Sequence, residues 1–144
     1  MVFNRVRFPM QFLTPKKTYM KIVLTNKESE KLFLDAICNA LGYIESGYDL
    51  ELTFDDAAYE QAKVGGGCYE DILLRILKNG GSLTLVDHGY DGGEYTRTIT
   101  IKDVHEKVAQ TPLRHLMDAI EERGDVVTSD VIIQSVFYGE VIFG

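Results

Sequence analysis

SLTLVDHGYDGGEYTRTITI (residues 82–101) is the stretch whose reading decides the fold class. In its first half Leu83 and Leu85 alternate with Ser82 and Thr84. In its second half Tyr95, Ile99 and Ile101 oppose Thr96, Thr98 and Thr100. Successive side chains leave a strand on opposite sides, so a period of two predicts strands with one apolar and one wet face. Between the halves, Gly89, Asp91, Gly92 and Gly93 supply turn chemistry, and the whole stretch reads as an antiparallel hairpin. The same alternation appears over residues 20–25, through Met20, Ile22 and Leu24. It returns over residues 48–54, where Tyr48, Leu50, Leu52 and Phe54 oppose Asp49, Glu51 and Thr53. Each strand keeps one polar face, which predicts a sheet covered on one side only.

The covering layer is expected to be helical. Thr25 and Glu28 have the spacing of a capping box, and Phe33, Ile37, Leu41 and Ile44 follow along one stripe. A short helix is predicted over residues 56–63. Another runs over 68–78 with Tyr69, Ile72, Leu73, Ile76 and Leu77 as its apolar residues, and Asn79-Gly80-Gly81 ends it. The last third reads as a helix over 103–110, then one opened by Thr111-Pro112 and stopped by Gly124. A final helix is capped by Thr128 or Ser129, carries Val131, Ile132, Val136 and Phe137, and stops at Gly139. Residues 141–143 then form a last strand or a packed tail, with Val141, Ile142 and Phe143 at least partly buried and Phe143 docked on the body or on another subunit. The predicted class is α+β: a two-layer sandwich, mainly an antiparallel sheet of four or five strands with helices on one face.

A chain of 144 residues has the usual size of one domain, and 45% hydrophobic against 26% charged residues separates it from disordered chains. Two cysteines, Cys38 and Cys68, are too few for a disulfide scaffold, which points to a reducing, cytoplasmic setting. No apolar run reaches the roughly 20 residues of a membrane span, so no membrane partner is expected. The net charge is −7, unevenly spread. Residues 1–27 hold six basic side chains and no acid, leaving nine basic against 22 acidic from Glu28 onward. The chain therefore divides into a basic arm, 1–19, read as a solvated terminus, and a single domain, 20–144. An acidic body repels phosphate, so nucleic acid is not an expected partner outside the basic arm, through which such binding is the weakest of the alternatives.

The densest polar cluster is residues 87–94. Asp87, His88 and Asp91, joined by His115 or His105 from the helical third, are the candidate catalytic residues, because a histidine oriented by carboxylates does acid–base work near neutrality. The alternative is a hairpin loop whose polar groups satisfy its own turn. No metal-ligand spacing appears, and neither a metal nor a cofactor is expected. Gly65-Gly66-Gly67-Cys68 precedes a helix, a position that attracts anions and activates thiols, but the lysine and hydroxyl of a phosphate loop are missing. It reads as a flexible connection followed by a half-buried cysteine. The polar sheet face, with Lys21, Asp49, Glu51 and the threonines Thr53, Thr84, Thr96, Thr98 and Thr100, suits either plain solvation or protein docking.

Asp130, Gln134, Phe137 and the closing Tyr138-Gly139-Glu140-Val141-Ile142-Phe143-Gly144 resemble the tail of small uncharacterised bacteriophage and prophage proteins. That resemblance covers about the last 25 residues and implies a mobile-element origin with a small accessory role, not an activity. The functional expectation is a non-enzymatic accessory or regulatory protein acting through protein–protein contacts, with a second copy of the chain among the candidate partners. The competing expectation is a small hydrolase or metal-dependent enzyme centred on the His88 loop.

Overall fold

Thr25 decides where the longest helix starts. In the computed structural model, which describes residues 2–6, 19–89 and 92–144, its hydroxyl accepts from the Glu28 amide at 3.1 Å, and the Glu28 carboxylate accepts from the Thr25 amide at 2.9 Å. This reciprocal box opens α1 (Asn26–Tyr48), whose buried side chains, among them Leu32, Phe33, Ile37, Leu41 and Ile44, recur every three or four residues. Asp49 ends α1 in the left-handed region at φ 56, which aspartate tolerates better than most residues. The chain turns there into β3 (Leu50–Thr53). Tyr48 is thus the last helical residue, not the first of a strand.

Next come α2 (Asp56–Lys63), α3 (Tyr69–Lys78), β4 (Leu83–Asp87) and β5 (Arg97–Ile99). The predicted hairpin is present: β4 pairs antiparallel with β5, Leu83 opposite Ile99, and with β3 on its other side, Leu52 opposite Leu85. The inner face carries Leu50, Leu52, Leu83, Leu85 and Ile99, all buried. On the outer face the hydroxyls of Thr84 and Thr98 meet at 2.8 Å.

The α+β class holds, but the sheet of four or five strands does not: it has three, in the order β3-β4-β5. The strand expected over 20–25 exists as β2 (Tyr19–Val23), but it pairs with β1 (Val2–Val6) in a separate two-stranded ribbon. Alternation identifies a strand without naming its partner. The rest of the arm, residue 1 and residues 7–18, lies outside the described residues. β5 is shorter than the predicted 94–101. Thr96 N bonds Gly93 O and closes a turn before it, and Asp103 accepts from the Thr100 amide and opens a helix after it.

The helical third comprises α4 (Ile101–Lys107), a 3-10 turn (Val108–Gln110), α5 (Leu113–Ile120) and α6 (Val126–Tyr138). Every residue of α6 from Thr128 to Phe137 is buried, and the helix packs against α1, α4, α5 and β5. A helix buried all round has protein on every side, so the expected two-layer sandwich gives way to a helical core with a small sheet set against it. Asp125, not Thr128 or Ser129, caps α6, its carboxylate accepting from the Thr128 amide at 3.0 Å. α5 ends at Ile120, with Glu122 at φ 58, two residues before Gly124. Among the described residues no helix is long and apolar enough to cross a membrane.

Candidate functional site

Residues Leu83, Leu85 and Asp87 share one face of β4, so the strand's own period carries the Asp87 carboxylate inward behind two leucines. Asp87 is 8% exposed. Its two oxygens accept from the Gly89 amide at 2.9 Å and the Tyr95 amide at 3.2 Å, and its own amide donates to Thr96 Oγ1 at 2.9 Å. One buried carboxylate therefore shapes the loop that follows it. His88, next along, faces outward, and its Nε2 lies 2.8 Å from Glu51 Oε1 with both side chains more than half exposed. The His88 amide donates to the Asp49 carbonyl, tying the loop to the end of α1.

These pieces line an open cavity of about 690 Å³ at the end of the sheet. The end of α1 contributes Tyr48 and Asp49, the β4 end Asp87 and His88, the loop Tyr95, and the C-terminal tail Phe143. The rings form one cluster. Tyr48 stacks on Phe143 with centroids 5.0 Å apart, and Tyr95 and Tyr138 meet Phe143 edge-on at 5.4 and 5.8 Å. Tyr48 donates to the buried Asp130 carboxylate at 2.5 Å. Burial and the neighbouring Asp130 push its phenol well above the usual tyrosine range. The Tyr138 hydroxyl is buried with no hydrogen-bond partner among the described residues. Burial and the charge of Asp87 push it up to about 12. Arg97 lies over the outer side of this ring, 5.7 Å from its centroid.

Gln134 fixes the tail. Its Oε1 accepts from the Ile142 and Phe143 amides at 2.7 and 2.8 Å, and its Nε2 donates to Asp130 Oδ1 at 2.7 Å and to the Phe143 carbonyl at 3.2 Å. Phe143 is half-buried, as is Ile142, while Val141 is 46% exposed. The tail is packed and forms no strand.

Of the residues singled out in the sequence, Asp87 and His88 meet at this cavity. Asp91 lies outside the described residues. His105 belongs elsewhere: its Nε2 is 2.7 Å from Glu30 Oε2, and Lys78 approaches the same carboxylate at 3.4 Å. Burial raises the Glu30 carboxyl, but these two partners outweigh it and hold the group below its usual range. His115 faces Thr128 at 3.4 Å. Among the described residues no three His, Cys, Asp or Glu side chains are placed to hold a metal ion. At the glycine loop, the Asp71 carboxylate accepts from the Cys68 amide and thiol at 3.1 and 3.2 Å, so an acid already occupies the place an anion would take. Arg75 donates to the Ala62 and Gly66 carbonyls and pins down the loop expected to be a flexible connection. Cys68 is exposed, not half-buried, because among the described residues only the Asp71 carboxylate bonds its thiol.

A second cavity, about 240 Å³, lies between α1 and the start of α6, near Cys38, Asn39 and Ser129. Its lining has no aromatic ring. Tyr48, Asp49, Tyr95, Phe143 and their supports Asp130 and Gln134 are the site residues that sequence reasoning did not assign. For the last two a signal exists: two polar side chains four apart in an otherwise apolar run form an inward pair. No protein-family model matches the chain, and no curated protein or solved structure matches it either.

Proposed function

We propose that the protein is a non-enzymatic accessory or regulatory protein that works through protein–protein contacts, with the cavity at the end of the sheet as its contact site. One observation supports this reading above the rest: three polar side chains of the cavity wall, those of Asp87, Tyr48 and His88, are engaged in holding the wall itself. Asp87 holds the loop amides, Tyr48 holds Asp130, and His88 holds Glu51. A preformed wall of this kind suits binding, since little ordering is left to be done when a partner arrives. The tail's likeness to phage and prophage proteins adds a mobile-element setting. Affinity capture from a host lysate at physiological salt tests the proposal. The wild type is expected to retain one stoichiometric protein, and Phe143→Ala to release it; no such partner for the wild type would count decisively against it.

The His88–Glu51 pair favours a second reading, in which an imidazole oriented by a carboxylate acts as a general base for hydrolysis at the cavity rim. Screening ester, amide and phosphoester substrates against wild type and His88→Gln decides it. Only a turnover that His88→Gln abolishes supports the enzyme.

A further inference from the structure

We infer that the cavity at the end of the sheet receives an arginine side chain of the protein partner. The inference rests on the protein-contact reading and names what that contact recognises. The walls are aromatic, with Tyr48, Tyr95 and Phe143 set by mutual ring contacts. Ring faces attract cations, and the flat, weakly hydrated guanidinium stacks on them better than the compact, strongly hydrated ammonium of lysine.

The charge at the cavity is negative. Asp87 uses one hydrogen bond at each oxygen, and a carboxylate offers about four lone-pair sites, so acceptor capacity remains. Asp49, at the rim, makes no side-chain hydrogen bond within the described residues. The side chain that would oppose a cation, His88, is held against Glu51.

The same ring cluster already carries one guanidinium. Arg97 lies on Tyr138, and Tyr138 meets both Phe143 and Tyr95 edge-on. A volume of about 690 Å³ exceeds a guanidinium head and falls in the range of ordinary ligand pockets, which leaves room for the residues flanking an arginine.

The test uses the full chain and three probes: N-acetyl-arginine amide, its uncharged isostere N-acetyl-citrulline amide, and N-acetyl-lysine amide. Titrations followed by amide NMR are expected to move Asp49, Gly89, Tyr95 and Phe143. The citrulline probe should bind about tenfold more weakly than arginine, with lysine between them. Asp49→Asn removes one charge while keeping a residue that tolerates left-handed backbone, so the fold is retained. It should weaken the arginine probe about fivefold and leave the citrulline probe unchanged. Equal binding of arginine and citrulline, tighter binding of lysine, or shifts away from these residues would overturn the inference. A partner captured by the wild type that blocked arginine does not displace would also overturn it, while leaving the protein-contact reading intact. Arginine binding in a protein that captures no partner would overturn the reading and the partner assignment with it.

Discussion

Gln134 makes four hydrogen bonds from a side chain that is 1% exposed. Replacing it with leucine keeps the bulk but leaves two tail amides and the Asp130 carboxylate short of partners. Leaving buried polar groups unpaired costs about 1–3 kcal/mol, so Gln134→Leu is expected to lower the unfolding free energy by that amount, read as a lower urea midpoint, and to open the tail to carboxypeptidase. An unshifted midpoint would mean that water replaces the glutamine at no cost. Cys38 makes a different kind of prediction. The residue is exposed, but partial desolvation by its surroundings, reinforced by the negative charges of Glu70, Asp71 and Asp35, pushes its thiol up to about 11. The thiolate is the reactive form, so alkylation of Cys38 should be slow at pH 8 and quicken about tenfold per pH unit as that value is approached. Peptide mapping of iodoacetamide-treated protein measures it, and labelling at an ordinary thiol's rate would refute it. Neither property is legible in the sequence. The cysteine and Asp35, three residues before it, are visible there, but Glu70 and Asp71 come from another helix, some thirty residues on.

Helix starts are the elements' common device, and four carboxylates serve them. Amides or capping hydroxyls and thiols donate to Glu28, Asp71 and Asp125 and hold each below the usual carboxylate range. For Asp103 burial works the other way, but the Thr100 amide and Lys107 outweigh it. A group whose folded pKa lies below its unfolded value stabilises the fold above the unfolded value, and that stability is lost as pH falls through the folded one. The melting temperature should therefore stay level from pH 7 to about 5 and fall below about 4. Asp125→Asn, still a good cap, should flatten part of that fall. A melting temperature unchanged down to pH 3 would contradict the linkage. Thr25→Ala, which breaks the box on α1, should cost about 0.5–2 kcal/mol in thermal unfolding. The α1 box was readable because threonine, glutamate and the apolar stripe agree. The start of α6 was not, because Val126 and Val127 put two β-branched residues in its first turn and pushed the apparent cap to Thr128. Gly124 misled in the same way. A side chain there would press on Thr128 Cγ2 at 2.9 Å, so the glycine makes room for α6 and does not end α5.

At the scale of the whole molecule, the tail closes the structure. Phe143 touches the end of α1 through Tyr48, the hairpin loop through Tyr95 and the end of α6 through Tyr138. Three consecutive apolar residues told the sequence reader that the tail packs. They could not tell where, because its seat is made by residues 48, 95 and 138, and only the fold brings these together. The same gap hid the cavity: Asp87 was visible as a loop acid, while its place in the Leu83, Leu85 series set it inside. If the tail is a structural wall, stability and recognition must fail together. Truncating a fully buried phenylalanine costs about 3–5 kcal/mol. Phe143 is half-buried, so Phe143→Ala should cost about 1–3 kcal/mol, and each kcal/mol lowers the melting temperature of a chain this long by about 2–4 °C. Deleting residues 140–144 should cost more, because Gln134 then loses three of its four hydrogen bonds. Both changes should abolish the difference between the arginine and citrulline probes. Glu140→Ala, at an exposed position with no ring to lose, should change neither. Calorimetric melts paired with probe titrations on the three variants separate the cases. A deletion that melts like the wild type and still prefers arginine would show that the tail is an appendage and that the cavity stands without it.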